Sequence, residues 1–158
     1  MSDLIFDIKI FEKRQMDLVE LRILFLEVRR QTFLWADTST FTLSDFDKET
    51  YGEYILVARA DNKIVGFISV WLADNFIHHL FVDSNYHNRG IGTKLLNRAI
   101  ERIGLPVGLK CVEKNKSAIE FYLKRGFTEK VKGSSEDEVY VFLELQHQNW
   151  SSHKQSER

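Results

Sequence analysis

Gly90 and Gly92 flank a single isoleucine directly after Asn88-Arg89, where the apolar run Phe76 to Val82 gives way to an amphipathic one. A strand that turns this sharply into a helix presents the N–H groups of the first helical turn, which lack intrahelical partners, at the positive end of the helix dipole. Positions without side chains let an anion reach those N–H groups, and Arg89 adds a fixed cation that can fork onto phosphate oxygens. The chemistry on offer is diphosphate binding. A dinucleotide fingerprint needs a third glycine near position 95, where Leu95 stands, and a P-loop needs Gly-Lys followed by Ser or Thr; this sequence has neither. The plainer reading of the two glycines is a tight turn with no ligand.

Four further side chains could take part in proton or acyl chemistry. His78 and His79 are adjacent in the apolar run, so on a regular strand they point to opposite faces, with His78 on the face of Phe76, Leu80 and Val82. Imidazole titrates near neutrality and can take a proton directly or through water; the alternative is a hydrogen-bonded core histidine. Tyr122 carries a phenol able to donate a proton, or it shares the apolar face of its helix with Phe121. Cys111, the only cysteine, lies in an apolar strand and reads as a small buried hydrophobe or as a nucleophile.

The loop His87-Asn88-Arg89-Gly90-Ile91-Gly92, followed downstream by Asn115 to Tyr122 and then Gly126-Phe127, resembles the GNAT superfamily of acyl-CoA-dependent N-acetyltransferases. The family's phosphate loop reads Gln or Arg, two residues, Gly, one residue, then Gly or Ala. His87 therefore departs from the pattern while both glycines keep it. The resemblance implies acetyl-CoA as co-substrate, held by Leu80, Phe81 and Val82 of the fourth strand, by His87, Asn88, Arg89, Gly90, Ile91, Gly92 and Thr93 of the loop, and by Asn115 and Tyr122. It implies a backbone N–H near a bulge at Leu80 to Val82 as the group that polarises the thioester carbonyl, and Tyr122 as the acid that protonates the departing thiolate. Asn115 also has the chemistry of a helix cap. In arylalkylamine acetyltransferases, which resemble this fold, histidines lie at the positions of Phe76 and His78, which makes His78 the candidate base. Many family members instead place a glutamate at the position of Phe76.

The acceptor site implied by the resemblance is walled by the segment after the first helix and the strand before the coenzyme strand, here Phe33, Trp35, Asp37 and Trp71 to Asp74. Aromatics with a carboxylate suit a small cationic amine or a peptide N-terminus, and they equally suit packing between helix and sheet. The expected activity is transfer of an acetyl group to a primary amine of a small molecule or peptide by direct attack in a ternary complex. The alternative is a non-catalytic acyl-CoA-binding sensor or scaffold. No metal is expected.

The elements that must position these groups follow from pattern. Leu4 to Ile10 alternates as a strand. Lys13 to Thr32 has Met16, Val19, Ile23 and Leu26 at helical spacing, with Leu21, Phe25 and Val28 widening the stripe. Ser44 is a candidate N-cap for a short helix to Thr50. Tyr54–Ala60 and Ile64–Leu72 form a hairpin around Asp61-Asn62, and a turn at Asp74-Asn75 leads into Phe76–Val82. A helix follows the glycine loop. Pro106 begins a strand to Val112, Asn115 begins a helix that stops at Gly126, and Phe127–Val131 and Val139–Leu145 pair around a loop from Gly133 to Glu138. This order matches an α+β GNAT fold: a mixed, mostly antiparallel sheet of six to seven strands flanked by about four helices, with the fourth and fifth strands splayed.

Composition bounds the rest. A chain of 158 residues, 44% hydrophobic and 28% charged, suits one domain, expected over 1–146, with a polar tail over 147–158. A formal net charge of −1 offers no bulk attraction for nucleic acid or a membrane surface. One cysteine suits a reducing compartment, and the acidic N-terminus is unlike a signal peptide, so a cytoplasmic monomer or homodimer is expected.

Overall fold

The computed structural model describes residues 7–147. They form seven strands and four α-helices, an α+β arrangement, in two compact units divided after Ile103. No described helix is long and apolar enough to cross a membrane.

The first unit carries strands β1 (Ile8–Glu12), β2 (Tyr54–Ala60), β3 (Lys63–Trp71) and β4 (Phe76–Val82), antiparallel in that order, with helices α1 (Leu18–Thr32), α2 (Asp45–Glu49) and α3 (Ile91–Ile103). The β2–β3 hairpin turns through Asp61 at φ 57°, pairing Ala60 with Lys63, as the short Asp-Asn connection requires. The core is aromatic. Phe25 of α1 meets Phe46 of α2 and Phe67 of β3 edge to face, each pair of centroids 5.9 Å apart, and Phe46 meets Phe67 at 5.4 Å.

The buried face of α1 is Leu21, Leu24, Phe25, Val28 and Arg29, while Met16, Val19 and Ile23 are exposed. This corrects the expected stripe. The helix is apolar on more than one side, and the sheet selects the side with the large ring that fills its centre. Ser44 stands at the α2 N-cap but makes no capping bond; the Asp45 carboxylate instead accepts from the Thr42 N–H and hydroxyl, both at 2.9 Å.

Gly66 decides how closely β3 and β4 approach. A Cβ at that position would lie 2.9 Å from the Phe81 carbonyl oxygen and 3.3 Å from both Leu95 Cδ1 and Val82 Cγ2. Only a residue without a side chain lets the end of β4 and the start of α3 settle on β3.

The second unit contains β5 (Val107–Val112), α4 (Lys116–Lys124), β6 (Thr128–Ser135) and β7 (Glu138–Leu145), with β7 antiparallel to both other strands. The β6–β7 strands run further than the expected loop from Gly133 to Glu138 allowed. Ser135 pairs with Glu138, leaving a two-residue turn with Glu136 at φ 54°. Polar residues fill both strands here because most of β6 is exposed and burial imposes no apolar pattern on it. Of the expected tail, residues 148–158 lie outside the described residues.

Candidate active site

The glycine loop is built as its residue types demand. After Val82, Asp83 caps a turn of 3₁₀ helix, Ser84–Tyr86, by accepting from the Asn85 N–H at 2.9 Å. His87 Nε2–H donates to the Val82 carbonyl at 2.9 Å, which ties the loop back onto the end of β4. Asn88 and Gly90 then take left-handed conformations, φ 64° and 77°, on either side of Arg89, and α3 starts at Ile91. A Cβ at Gly90 would meet no atom within 4 Å, so the glycine serves the backbone angle rather than the space. The Arg89 guanidinium lies 5.8 Å from the Tyr86 ring centroid. His87 thus acts in the loop as a brace for its backbone.

The strand leading to that loop carries both candidate histidines. In the β3–β4 pairing Ser69 faces His79 and Val70 faces Ile77, so β4 carries one extra residue, His78, in a bulge. A bulge interrupts the two-residue alternation, and the two imidazoles do not take opposite faces. Their centroids lie 4.0 Å apart with planes inclined by 35°. This corrects the expected separation of His78 and His79. The bulge also falls before Leu80, Phe81 and Val82, which keep regular register with Ile68, Phe67 and Gly66.

The neighbours nevertheless differ in surroundings. His79, with a side chain only 9% exposed, packs against Phe25 at 5.0 Å, bonds Ser69 Oγ through Nδ1 at 3.0 Å and reaches Glu49 through Nε2 at 3.3 Å. Burial holds its pKa below the usual imidazole value, against the opposing effect of the hydrogen bond it gives to Glu49. Glu49, whose pKa is lowered by that same hydrogen bond, also lies 3.7 Å from Arg29. Arg29 is itself buried, stacked 3.9 Å from the Phe25 centroid and paired with Asp45 at 3.2 Å.

His78 is 41% exposed, and its Nδ1 lies 2.6 Å from Oε2 of Glu53, a residue just before β2 whose side chain is 6% exposed. Glu53, His78 and His79 offer donor atoms that all lie within 4.8 Å of one another, a set of metal-ligand type. Two donors on one tetrahedral zinc, each about 2.0 to 2.1 Å from the ion, stand roughly 3.3 Å apart. The 2.6 Å separation of Glu53 and His78 is instead that of a hydrogen bond. Glu53 and Glu49 carry no local signal in the sequence, since their partners are separated from them by 25 and 30 residues and are brought close only by the sheet.

The residues expected to wall the acceptor fall in two places. Phe33, just past α1, touches Trp35 at 5.3 Å, Phe41 at 6.5 Å and Phe81 of β4 at 6.1 Å. Asp37 is turned to local work, accepting from the Ser39 N–H at 3.0 Å and hydroxyl at 2.7 Å, bonds that lower its pKa. Trp71 lies at the other end of β3, where its ring covers Gly52 at the turn before Glu53. Asp74 is exposed in the short turn after it.

In the second unit Asn115 caps α4, its Oδ1 accepting from the Ala118 N–H at 3.3 Å. Tyr122 is buried on that helix between the Phe121 and Phe127 rings, at 5.1 and 5.2 Å. Burial, reinforced by nearby Cys111 and opposed by Arg125, pushes its hydroxyl well above the usual phenol value, so it remains a donor. Burial likewise pushes the Cys111 thiol up to about 12, which leaves the nucleophile reading without a thiolate near neutrality.

The first unit thus carries a strand, a glycine-rich turn and an amphipathic helix, and the second an asparagine-capped helix with a buried tyrosine. Residues 19–127 match the model of the Acetyltransferase (GNAT) family, and the chain belongs to that family. Over 93 residues it is 41% identical to an uncharacterised N-acetyltransferase of Methanocaldococcus jannaschii, a match covering 49% of this chain and 41% of the relative, so less than half of that protein's length is spanned. Among solved structures, a GCN5-related N-acetyltransferase from Rhodopseudomonas palustris superposes with a TM-score of 0.72 at 19% identity, covering 92% of this chain and all of that one. The PaiA N-acetyltransferase of Thermoplasma acidophilum, in complex with coenzyme A, gives 0.68 at 21% identity, covering 89% and 99%. At these identities the likeness is one of fold, and the fold is that of GNAT proteins.

Proposed function

We propose that this protein transfers an acetyl group from acetyl-CoA to a primary amine of a small molecule or peptide, by direct attack within a ternary complex. The observation that carries the proposal is the loop between β4 and α3, where left-handed Asn88 and Gly90 flank Arg89 and α3 starts directly at Ile91, putting the positive end of its dipole next to that cation. The first helical N–H groups and Arg89 would take the coenzyme's pyrophosphate. That the PaiA neighbour is in complex with coenzyme A supports the same reading.

In this proposal Leu80 to Val82 supply the backbone N–H that polarises the thioester carbonyl, and Asn115 and Thr93 complete the coenzyme contacts. His78 takes the proton of the attacking amine. A C–N bond forms as the C–S bond breaks, and Tyr122, kept protonated by burial, gives its proton to the thiolate. The residues Phe33, Trp35, Asp37, Trp71 and Asp74 are the proposed acceptor wall. Incubation with acetyl-CoA and a panel of primary amines, followed by thiol release, tests the reading. Release that depends on the amine supports transfer; binding of acetyl-CoA with no release on any amine returns the chain to an acyl-CoA sensor or scaffold.

A further inference from the structure

We propose that Glu53 is a positioning residue for His78, holding the imidazole in the tautomer whose Nε2 accepts the proton of the attacking amine. The inference rests on His78 being the base, and it adds a residue that neither the glycine loop nor the downstream tyrosine motif points to.

Geometry carries the assignment. Glu53 stands at the end of the turn through Gly52, at φ 78°, where the chain enters β2, and its side chain is almost wholly withdrawn from solvent. Its Oε2 accepts from His78 Nδ1–H at 2.6 Å. Its other oxygen, Oε1, is buried and has no hydrogen-bond partner among the described residues. A carboxylate withdrawn from water with one oxygen unpaired carries a desolvation cost, and its main compensation is the imidazole it touches. With Nδ1 committed as donor, the proton-accepting lone pair of the neutral ring is placed on Nε2. When the amine's proton arrives there, the imidazolium forms against a carboxylate already in place, so no charge must be brought up during the step.

The bulge is the second part of the device. Ser69 and Glu49 take both nitrogens of His79, whereas the extra residue in β4 sets the His78 ring beside that ring and within reach of β2. Charged and titratable groups around His78 include Glu53 from the approach to β2 and His79 on β4, with Glu49 of α2 and Arg29 of α1 beyond His79. Of these, Glu53 makes the short bond.

The test combines a readout without turnover and one with it. In protein labelled with ¹⁵N-histidine, long-range ¹H–¹⁵N correlation at alkaline pH reports the tautomer of each ring. Wild-type His78 is expected as Nδ1–H, and Glu53→Gln, which offers an N–H as well as an oxygen, should redistribute the proton. In kinetics, wild-type kcat/KM should rise with pH as His78 loses its proton. Removing the carboxylate that favours the imidazolium should move that rise to lower pH by about one unit or more and lower the plateau about tenfold or more, with KM for acetyl-CoA unchanged. Glu53→Asp, which keeps the charge but shortens the reach, should retain the position of the rise better than its height. The His79 signals, fixed by Ser69 and Glu49, report that each variant is folded. An unchanged tautomer and an unmoved rise in Glu53→Gln overturn the proposal. A redistributed tautomer in a protein whose wild-type profile shows no rise overturns His78 as base, and the positioning role with it, while leaving the pairing itself in place.

Discussion

Two histidine–glutamate pairs meet at neighbouring positions of one strand, and their surroundings differ. His79 with Glu49 closes a chain running Ser69, His79, Glu49, Arg29 and Asp45, buried at Ser69, His79 and Arg29 and open at Glu49, which ties β3, β4, α1 and α2 together around Phe25. His78 with Glu53 makes a shorter bond but leaves the imidazole nearly half exposed. Residue type is the same in both. What separates the two rings is access to solvent, 41% for His78 against 9% for His79, and the bulge sets it; that difference is what the proposal that His78 is the base draws on.

The largest effect should come from a change that leaves both pairs intact. Gly92→Asp puts a like charge into the turn that would hold the pyrophosphate, and it should abolish stabilisation by acetyl-CoA and, with it, turnover. In the wild type, ligand at a hundred times its Kd adds about 2.7 kcal/mol, readable as a thermal shift. No shift in the wild type at millimolar acetyl-CoA would overturn the coenzyme reading before either histidine is considered.

Replacing each histidine in turn sets the two pairs against one another. His78→Gln keeps a polar group of similar reach and loses the proton acceptor, so kcat/KM should fall about a hundredfold or more and the rise with pH should vanish. His79→Gln should keep that rise. If the outcomes are exchanged, the buried ring is the base and the comparison is inverted; if both variants keep the rise, proton removal belongs to water or to the acceptor.

Tyr122→Phe should cost about tenfold in kcat, with coenzyme affinity preserved, because in the proposed mechanism the hydroxyl is used only as the thiolate leaves. Unchanged kcat with chemistry rate-limiting would make Tyr122 a packing residue beside Phe121 and Phe127.

The smallest effect on activity belongs to His79→Gln, whose cost should appear as stability. Loss of its place between Ser69 and Glu49 should cost about 1 to 3 kcal/mol. Burial lowers the His79 pKa from its ordinary value of 6.5, so below about that pH the unfolded chain binds a proton that the folded chain resists. Wild-type stability should therefore drop as pH falls from 7 towards 5, and His79→Gln should drop less steeply. Thermal denaturation of both proteins across that range measures the difference.

The parts read correctly from sequence were those decided within a few residues. The glycine turn, the Asp-Asn hairpin, β4 from Phe76 to Val82 and the amphipathic α3 each have a local cause. The buried face of α1 was misread because Met16, Val19 and Ile23 share the spacing of a core stripe without its burial, and only Phe67 and Phe46 settle which side turns inward. The facing of His78 was misread because strand parity assumes an unbroken ladder. Glu53 was not seen at all, since a glutamate entering a strand looks like any solvated charge until the sheet brings a histidine to it.

The bulge in β4 has a consequence for heredity as well as for geometry. On a regular strand, groups that must meet on one side come from alternate positions or from separate strands, and each can be altered independently. One additional residue makes neighbours in the chain neighbours in space, so the two rings are encoded by consecutive codons. A single-residue deletion there would restore the ladder and dissolve the pairing in one step, while point changes around it would leave the spacing untouched.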